Sequence, residues 1–401
     1  MKLLLLSNYF TPDLSAGSFR MQALIEALEP WRTDGLEVDL ITTRPNRYAS
    51  LRAEAPAFED FGWLKVHRIE LPSHKSGMAD QARAYVHYAK GVRKITRTQR
   101  WDAVFATSSR LMTASLGAHI SRRLDVPLYL DIRDLFTDNM KELLAGSPIK
   151  SLMPVFRMIE HKAFGRASRI NVVSQGFVSH IQSIAPQAQL RVLTNGIDRI
   201  FAESDFTKPS GGGHQPLIVY AGNIGEGQGL HRVVPQVAAK LKGRARFRFI
   251  GDGGRKAALE TAIADAALGH VELLPPVPRV CLLDHYREAD ILFLHLNDLD
   301  AFRKVLPSKV FEYAATEKPI LAGVAGHAAE FLIEHLPDAE VFEPLDADAM
   351  TQAINRLIES PPSLDRSEFD KKFARSQIMK HLARDIIDMV DGPAGHRTLA
   401  S

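Results

Sequence analysis

Short apolar runs alternate with helix-length amphipathic segments along most of the chain. In the first half the apolar runs are residues 2–6, 38–42, 66–71, 103–106, 128–132, 169–173 and 191–193. Segments of helical pattern, such as 19–28 and 111–123, separate several of them. Continuous apolar runs that alternate with helices predict parallel strands covered by helices on both faces.

The alternation stops at 208–216 (KPSGGGHQP) and then begins again. The next strand candidates are residues 217–220, 245–250, 271–273, 291–294, 319–321 and 340–342. Three consecutive glycines suit a flexible connection better than a helix or a strand. We therefore predict an α/β protein of two doubly wound, Rossmann-like domains, 1–205 and 206–370, facing across a cleft that is the expected ligand site. A final helix, within 369–390 by its apolar spacing and taken as 371–392, could cross back to the first domain.

Composition narrows the class of protein. The chain of 401 residues is 45% hydrophobic and 24% charged, as expected of a soluble globular protein. Cys281 is its only cysteine, which excludes an internal disulfide and favours a reducing, cytoplasmic compartment. The apolar start of the chain is followed at once by polar residues, which favours a buried strand over a secretion signal.

Charge is distributed unevenly between the two predicted domains. Residues 1–205 carry 27 Lys and Arg against 21 Asp and Glu, whereas the remainder carries 23 against 26. Two basic amphipathic stretches, 75–100 and 150–169, have the pattern of helices that lie on an anionic membrane, or of packed helices with a solvated basic face. We expect peripheral contact with the inner face of the cell membrane, and no nucleic-acid partner, because the basic runs lack interleaved aromatic residues.

The segment 306–321 (LPSKVFEYAATEKPIL) carries the most specific chemistry. Pro307 and Ser308 suit the approach and N-cap of a helix whose first free amides form an anion site. Lys309 adds a positive charge, and Glu312, one turn further along, can accept hydrogen bonds from two hydroxyls. A phosphate at the cap and a diol at the carboxylate together describe a nucleotide sugar. The alternative is an ordinary capped amphipathic helix.

Glycine-rich turns follow two strands of the second domain. The loop 220–229 (YAGNIGEGQG) offers close backbone approach to phosphate together with side-chain amide donors, and 249–254 (FIGDGG) forms a second turn. The stiff loop 274–278 (LPPVP) could form the wall against which a nucleotide base lies. The candidate donor-binding residues in these loops are Gly222, Asn223, Gly225, Gln228, Gly251, Asp252, Gly253 and Val277. Plain strand-to-helix turns remain the alternative for each loop.

In the first domain, two segments lie where doubly wound folds bind ligands. Gly17, between the first strand and a helix predicted to start near Phe19, would allow close approach on the acceptor side. Asp131, Arg133 and Asp134 follow the strand 128–132, either as site residues or as an Arg–Asp pair that holds a loop. Asn297-Asp-Leu-Asp300 resembles an Asp-x-Asp metal motif, but we expect no metal there, and the cysteine and histidine spacing predicts no zinc site.

Taken together, these segments resemble glycosyltransferase family 4, which has the GT-B fold. The resemblance covers nearly the whole chain, through the RDLF segment, TNGID at 194–198, YAGNIGEGQGL, FIGDGG and PSKVFEY. It is strongest to bacterial O-antigen and polysaccharide transferases, including those that transfer N-acetylated fucosamine. It implies transfer with retention from a nucleoside diphosphate sugar, UDP rather than GDP, to a lipid-linked or polysaccharide acceptor, without a metal or other cofactor.

The resemblance also implies roles for particular residues. Glu312 matches the second glutamate of an E-x7-E motif and would bind the ribose, whereas the first glutamate falls at Lys304. An arginine and a lysine that often hold the diphosphate match Asn223 and Gln228, so Lys309 or Arg303 would supply the charge. Arg133 stands where many members carry a histidine. Asp134 would orient or deprotonate the acceptor hydroxyl.

These departures from the family pattern leave two other functions open. One is a nucleotide-sugar epimerase of the same fold, which would need no acceptor. The other is a catalytically silent, glycosyltransferase-like partner in a biosynthetic complex. Conversion of a free nucleotide sugar would identify the first, and donor hydrolysis or transfer by the purified chain would exclude the second.

Overall fold

The computed structural model describes residues 1–13, 15–45, 54–72, 78–108, 111–143, 151–207, 215–362 and 364–391. The chain divides into two compact units, Met1–Asn195 with the chain from Ser376 onward, and Gly196–Arg375. The predicted boundary at 205–206 is ten residues later than this division. Residues 208–214 of the predicted flexible connection lie outside the described residues.

Unit 1 is built on an eight-stranded sheet in its described part. Its strands are β1 Lys2–Leu6, β2 Glu37–Thr43, β3 Phe58–Asp60, β4 Leu64–Ile69, β5 Ala103–Thr107, β6 Leu128–Ile132, β7 Arg169–Val172 and β8 Gln189–Val192. Its helices are α1 Ala16–Leu28, α2 Met78–Thr96, α3 Leu111–Leu124, α4 Phe136–Leu143, α5 Met153–Phe164 and α6 Val178–Ile184, with 3-10 turns at Glu29–Asp34 and Gln175–Phe177. The strand order is β3-β4-β2-β1-β5-β6-β7-β8, and β3 alone is antiparallel to its neighbour.

Unit 2 contains a six-stranded, fully parallel sheet in the order β11-β10-β9-β12-β13-β14. Its strands are β9 Leu217–Asn223, β10 Arg246–Asp252, β11 Val271–Leu274, β12 Ile291–His295, β13 Ile320–Gly323 and β14 Glu340–Phe342. Its helices are α7 Arg199–Ala202, α8 Leu230–Lys240, α9 Lys256–Asp265, α10 Arg279–Glu288, α11 Lys309–Ala314, α12 His327–His335, α13 Ala347–Glu359 and α14 Ser367–Lys372. Arg375, the last residue of unit 2, is also the first residue of helix α15, Arg375–Asp391.

The central strands are apolar because helices cover both faces of each sheet. Leu3 to Leu6 of β1 are at most 1% exposed, and all of β5, β6 and β12 is buried. Buried parallel strands have continuous apolar runs for this reason. The predicted doubly wound α/β fold is confirmed, with small shifts at the ends of most strands.

The C-terminal helix packs on unit 1 through Met379, Leu382 and Ile386, which belong to the same core as β1 and α1. The Asp385 carboxylate on that helix accepts hydrogen bonds from the Tyr129 hydroxyl at 2.9 Å and from Arg169 Nη1 at 2.6 Å. The prediction of one unbroken helical region within 369–390 is wrong, because α14 ends at Lys372 and α15 starts at Arg375.

The order of the strands also fixes the switch point of each sheet, where the chain stops adding strands on one side of the first strand and starts on the other. In unit 2 the chain runs outward from β9 through β10 to β11, and then returns to place β12 on the other side of β9. Unit 1 repeats this arrangement with β1 and β5. The crevice beyond the carboxyl ends at such a switch point is where open α/β sheets bind ligands. No helix in the described parts of the chain is long and apolar enough to cross a membrane.

Candidate active site

The switch point of unit 2 brings two sequence-predicted segments together. Gly222 lies near the end of β9, and a Cβ added to it would lie 3.6 Å from Cε of Lys309 and 3.1 Å from the Tyr220 hydroxyl. Lys309 opens α11, which follows β12 along the chain. The Lys309 side chain therefore lies next to the backbone at the end of β9.

The second glycine turn has a packing role. Gly251 pairs with Gly222 between β10 and β9, at a φ of 154°, and a Cβ on Gly251 would lie 1.8 Å from the Gly222 carbonyl oxygen. A Cβ on Gly253 would lie 2.5 Å from the Ile224 carbonyl oxygen. Asp252 is exposed, and its carboxylate accepts the Gly253 N–H at 2.8 Å, as expected of a turn. Close approach of two strand ends explains these glycines, and their contact with a donor stays a prediction.

Asn223 and Gln228 are bonded to one another. Asn223 Nδ2 donates to Gln228 Oε1 at 2.7 Å, and the same oxygen accepts the Gly225 N–H at 3.3 Å. These two side chains were predicted to donate to a diphosphate. One N–H of the Asn223 amide therefore closes the loop, and the contact of this side chain with a phosphate stays a prediction.

Two residues that the sequence did not single out for this role hold the glycine loop on β12. His295 is 3% exposed, its Nδ1 lies 2.6 Å from the Gln228 carbonyl oxygen, and its Nε2 accepts the Leu345 N–H at 3.1 Å. These partners fix the neutral tautomer with the proton on Nδ1. Burial lowers the pKa of His295 to about 4. Buried Asn297 donates to the Glu226 carbonyl at 2.9 Å.

Asn297 belongs to the Asp-x-Asp-like motif, and the structure gives that motif other partners. Asn297 Oδ1 accepts from Arg232 at 3.2 Å, and Asp298 forms an ion pair with Arg303 at 3.1 Å. Lys304 lies in a 3-10 turn, Phe302–Lys304. In the described parts of the chain, no three His, Cys, Asp or Glu side chains are grouped as ligands of one metal ion.

The start of α11 differs from its prediction in detail. Ser308 occupies the N-cap position, as predicted, but its side chain makes no capping hydrogen bond and its backbone is already helical. The amides of Val310 and Phe311 donate to the carbonyls of Pro307 and Ser308, each at 3.2 Å. The predicted set of free first-turn amides is therefore wrong for these two, because the helix opens with a tighter turn that uses them.

Half-buried Lys309 and buried Glu312 form an ion pair one turn apart. Lys309 Nζ lies 2.7 Å from Glu312 Oε2 and donates to the Tyr286 hydroxyl at 3.3 Å. Tyr286 in turn donates to Glu312 at 3.4 Å. Burial alone would raise the pKa of Glu312, but the charges of Lys309 and Arg279 outweigh it and hold that pKa below its usual value. Glu312 is thus an ionised carboxylate that can only accept hydrogen bonds.

Three more charged residues surround this pair, and sequence reasoning missed all of them in this role. Asp198 is the N-cap residue of α7 and forms ion pairs with Arg375, at 2.6 Å, and with Arg279. Arg279 begins α10, immediately after the proline-rich loop. In that loop Val277 packs against the unit 2 core, and its contact with a base stays a prediction.

In unit 1 the predicted Asp–Arg pair exists, but with another arginine. Arg20 of α1 binds buried Asp131 through two hydrogen bonds, at 2.8 and 3.0 Å, and Asn171 donates to the same carboxylate at 2.7 Å. Asp131 therefore ties α1, β6 and β7 together. Gly17 lies in the first turn of α1, not in the loop before it, because the helix starts at Ala16.

Arg133 and Asp134 follow β6 directly. Arg133 Nη2 lies 3.4 Å from Asn195 Oδ1, and the Asn139 amide lies 3.4 Å from Asp134 Oδ1. The surrounding protein raises the pKa of Asp134, and Arg133 opposes that shift.

Comparison with known families identifies this architecture. A model of the Glycosyl transferase 4-like domain matches residues 20–196, and a model of the Glycosyl transferases group 1 domain matches residues 202–375. Together the two models cover most of the chain. The chain belongs to the GT-B glycosyltransferases. The N-acetyl-fucosamine subgroup is a finer assignment that these matches do not reach.

Individual relatives agree with this family. WcaI of Escherichia coli K12, named as a colanic acid biosynthesis glycosyl transferase, is 26% identical over 178 residues, which are 43% of each chain. HepE (Alr3699) of Anabaena, solved with UDP and glucose, has a similar fold, with a TM-score of 0.69 at 18% identity over 96% of this chain and 99% of its own. WaaG, a glycosyltransferase involved in lipopolysaccharide biosynthesis, has a TM-score of 0.62 at 12% identity over 97% of both chains.

Proposed function

We propose that this chain transfers a glycosyl unit from a nucleoside diphosphate sugar to an acceptor in glycan synthesis. The observation that carries the proposal is the convergence of Gly222, Lys309 and Glu312 at the switch point of unit 2. Lys309 would bind the diphosphate, and Glu312 would accept the ribose hydroxyls. An ionised carboxylate beside a partly exposed ammonium group, at the end of a glycine-containing strand, suits both parts of a nucleotide.

The chemistry asks the protein to stabilise a departing diphosphate and a sugar of oxocarbenium character. Lys309 and the amides of the glycine loop would stabilise the leaving charge without a metal ion. We propose UDP as the nucleotide, because HepE was solved with UDP and with UDP-glucose. Retention at the anomeric carbon follows the family resemblance. Transfer of an N-acetylated amino sugar is the finer proposal from the same resemblance.

We propose a lipid-linked acceptor, handled by Asp134 and Arg133 of unit 1. Helix α5 offers a surface for the membrane that would carry such a lipid. Leu152, the N-cap residue of α5, is followed at intervals of three residues by Val155 and Met158 on the helix, and each of the three is 46–48% exposed. Arg157 and Lys162 are also exposed on this helix. Apolar side chains with neighbouring cations are the pattern of a helix that lies on an anionic bilayer.

Nucleotide binding tests the donor site first. Titration calorimetry with UDP, GDP and ADP should show selective binding of UDP, and UDP should raise the unfolding temperature, since a ligand of the native state stabilises it. Glu312→Gln keeps the shape but removes the charged acceptor, and should weaken UDP binding roughly tenfold to a hundredfold. Glu343→Gln, in the loop after β14, is the control. Equal binding by both variants would refute the ribose role of Glu312.

Product analysis then separates transfer from the other reactions of this fold. Purified protein is incubated with a panel of UDP-sugars, with and without undecaprenyl diphosphate-linked sugar acceptors. Release of UDP together with a lengthened lipid-linked glycan would support transfer. A changed UDP-sugar without acceptor would identify an epimerase. UDP binding with no turnover of any donor in the panel would favour the silent partner and count against the proposal.

Membrane contact has its own test. Co-sedimentation is measured with phosphatidylcholine vesicles, with and without phosphatidylglycerol. Val155→Ser with Met158→Ser should weaken binding to the anionic vesicles roughly tenfold, because each change removes apolar area from the bilayer contact. Val280→Ser, at a residue of unit 2 that is 67% exposed, is the matched control. Loss of binding in the control alone would contradict the assignment to α5.

A further inference from the structure

A cluster of five charged side chains occupies the interior of unit 2 around the candidate ribose carboxylate. Asp198 Oδ1 lies 2.6 Å from Arg375 Nη1, and the same carboxylate pairs with Arg279. The side chains of Asp198, Arg279 and Arg375 are 11%, 16% and 3% exposed. Lys309 and Glu312 complete the cluster, with side chains 25% and 10% exposed.

The Asp198 part of the cluster is fixed in place. Arg375 Nη2 donates to the Gly196 carbonyl at 3.0 Å, and the Arg375 amide donates to the Ile197 carbonyl at 2.8 Å. The Arg279 guanidinium lies 4.8 Å from the centroid of the Phe201 ring. These contacts hold both guanidinium groups by their backbone and aromatic neighbours as well as by charge. Lys309, by contrast, is held by its hydrogen bonds to Glu312 and Tyr286.

The cations of the cluster differ in how far they reach solvent. Three cations, Lys309, Arg279 and Arg375, face two carboxylates, Asp198 and Glu312. Lys309 is the most exposed of the five side chains and the one that opens toward Gly222.

Lys309 carries one positive charge, which a bound diphosphate would draw away from Glu312. If it moves to the phosphates, Glu312 becomes a buried carboxylate that has lost its nearest cation. Burial would then favour its protonated form, which is a poorer acceptor for two ribose hydroxyls. Some other positive charge must therefore remain near Glu312 in the bound state.

We infer that Asp198 holds Arg279 and Arg375 as fixed positioning residues that keep Glu312 ionised when Lys309 exchanges from Glu312 to the donor diphosphate. This inference rests on the proposed function, because it assumes that a diphosphate binds at Lys309. It also gives the TNGID segment at 194–198 a task in donor binding that the segment performs without touching the donor.

The electrostatics of the cluster agree with this arrangement. Burial pushes the pKa of Glu312 up, and Lys309, Arg279 and Arg375 together bring it below its usual value. The other titratable groups that face Glu312 are the hydroxyls of Tyr286 and Tyr313. Burial raises the pKa of both, so they stay neutral over the working range of pH.

The test is the pH dependence of UDP affinity, measured by calorimetry between about pH 8 and pH 5.5. The UDP affinity of each variant is divided by that of the wild type at the same pH, which cancels the titration of UDP itself. Arg279→Gln should bind UDP about tenfold more weakly than the wild type at pH 8 but less than about threefold more weakly at pH 5.5. Without Arg279 the complex must hold an uncompensated carboxylate at high pH, whereas at low pH Glu312 takes up a proton on binding, and one unit in its pKa is a factor of ten. Arg287→Gln, at the exposed end of the same helix, should show a ratio near one throughout.

A double variant tests whether Glu312 is the group that takes up the proton. With Glu312→Gln already present, adding Arg279→Gln should produce no further pH dependence, since the titrating carboxylate is gone. If Arg279→Gln weakens UDP binding equally at every pH, Arg279 contacts the ligand or only supports the fold, and the inference is wrong. If Arg279→Gln binds like the wild type at every pH, the inference is also wrong.

Failure of the proposed function can be told apart from failure of this inference. If the wild type binds no nucleoside diphosphate, the proposed function fails. The effect of Arg279 on the pKa of Glu312 is then tested through the free energy of unfolding. In a Lys309→Gln background, adding Arg279→Gln should raise the pKa of Glu312 in the folded state. A raised carboxyl pKa makes folding take up a proton, so this double variant should gain stability relative to Lys309→Gln as the pH falls from about 7 to 5. No relative gain would overturn the inference.

Discussion

The neutral state of His295 makes the glycine loop sensitive to acid. His295 joins the end of β12 to the loop 225–229 through its Nδ1–H, and receives the Leu345 N–H at Nε2. Protonation would place a second N–H at Nε2, directly opposite the Leu345 donor. The ring is also packed against Gly323, where an added Cβ would lie 2.2 Å from its Cδ2.

The sign and size of the effect follow from the pKa. Burial lowers the pKa of His295 from 6.5 to about 4. Between these values the unfolded chain holds a proton that the folded protein does not, so stability falls as the pH drops below 6.5 and the loss levels off near 4. With about 1.4 kcal/mol per pKa unit, the free energy of unfolding should fall by about 2 kcal/mol by pH 5, and by about 3 kcal/mol in the limit.

Hydrogen exchange of peptides that span 225–229 and 291–295 measures this locally, after correction for the intrinsic exchange rate at each pH. His295→Asn removes the titrating ring. The free energy of opening in this variant should therefore lack the loss of about 2 kcal/mol that the wild type shows by pH 5. Four other histidines of unit 2, at 231, 285, 327 and 335, also have pKa values lowered by burial. The difference between wild type and variant therefore isolates His295.

Unit 1 supplies an internal reference, because Trp31, Trp63 and Trp101 are the only tryptophans of the chain and all belong to it. Their fluorescence reports the general effect of acid on unit 1 and should be the same in wild type and His295→Asn. If the two proteins lose the same opening free energy between pH 7.5 and pH 5, His295 does not carry the proton linkage. The reasoning from its hydrogen-bond partners would then be refuted.

Two further substitutions probe the packing that supports the site. Gly251→Ala should lower the free energy of unfolding by about 3 kcal/mol or more, since its Cβ would overlap the Gly222 carbonyl oxygen. Gly254→Ala, whose Cβ meets no atom within 4 Å, should change it little, and equal thermal melts by circular dichroism would contradict this packing. Asp385→Asn should destabilise unit 1 by about 2 kcal/mol, because it removes the charge that balances Arg169. Denaturant unfolding followed by tryptophan fluorescence measures this loss, and an unchanged midpoint would show that the pair contributes nothing.

Much of the fold could be predicted because its signals are local. The apolar runs at 2–6 and 128–132 became β1 and β6 without change, and 291–294 became β12 with one more residue. The errors have local causes too. Strand β3, Phe58–Asp60, is a three-residue edge strand with two acidic residues, so it has no apolar run to detect. Strand β8 was predicted two residues too late, because polar Gln189 begins it at the edge of the sheet.

The residues of the candidate site also divide into those that local sequence reveals and those that only the fold brings together. Lys309 and Glu312 could be found because they are three residues apart on one predicted helix, and glycine turns are visible wherever they occur. The reason for Gly251 was not visible, since the Gly222 carbonyl reaches it only through the pairing of β9 with β10. The tautomer of His295 likewise depends on partners in two distant loops.

The sequence by itself therefore determined the alternation of strands and helices and the residues whose chemistry lies within one turn or loop. Only the tertiary structure decided which charges share a buried environment. Asp198, Arg279 and Arg375 are far apart in the chain, and nothing in their local sequence records that they meet beside Glu312. Strand order and packing bring them together, and low dielectric surroundings then turn three ordinary surface residue types into one electrostatic unit.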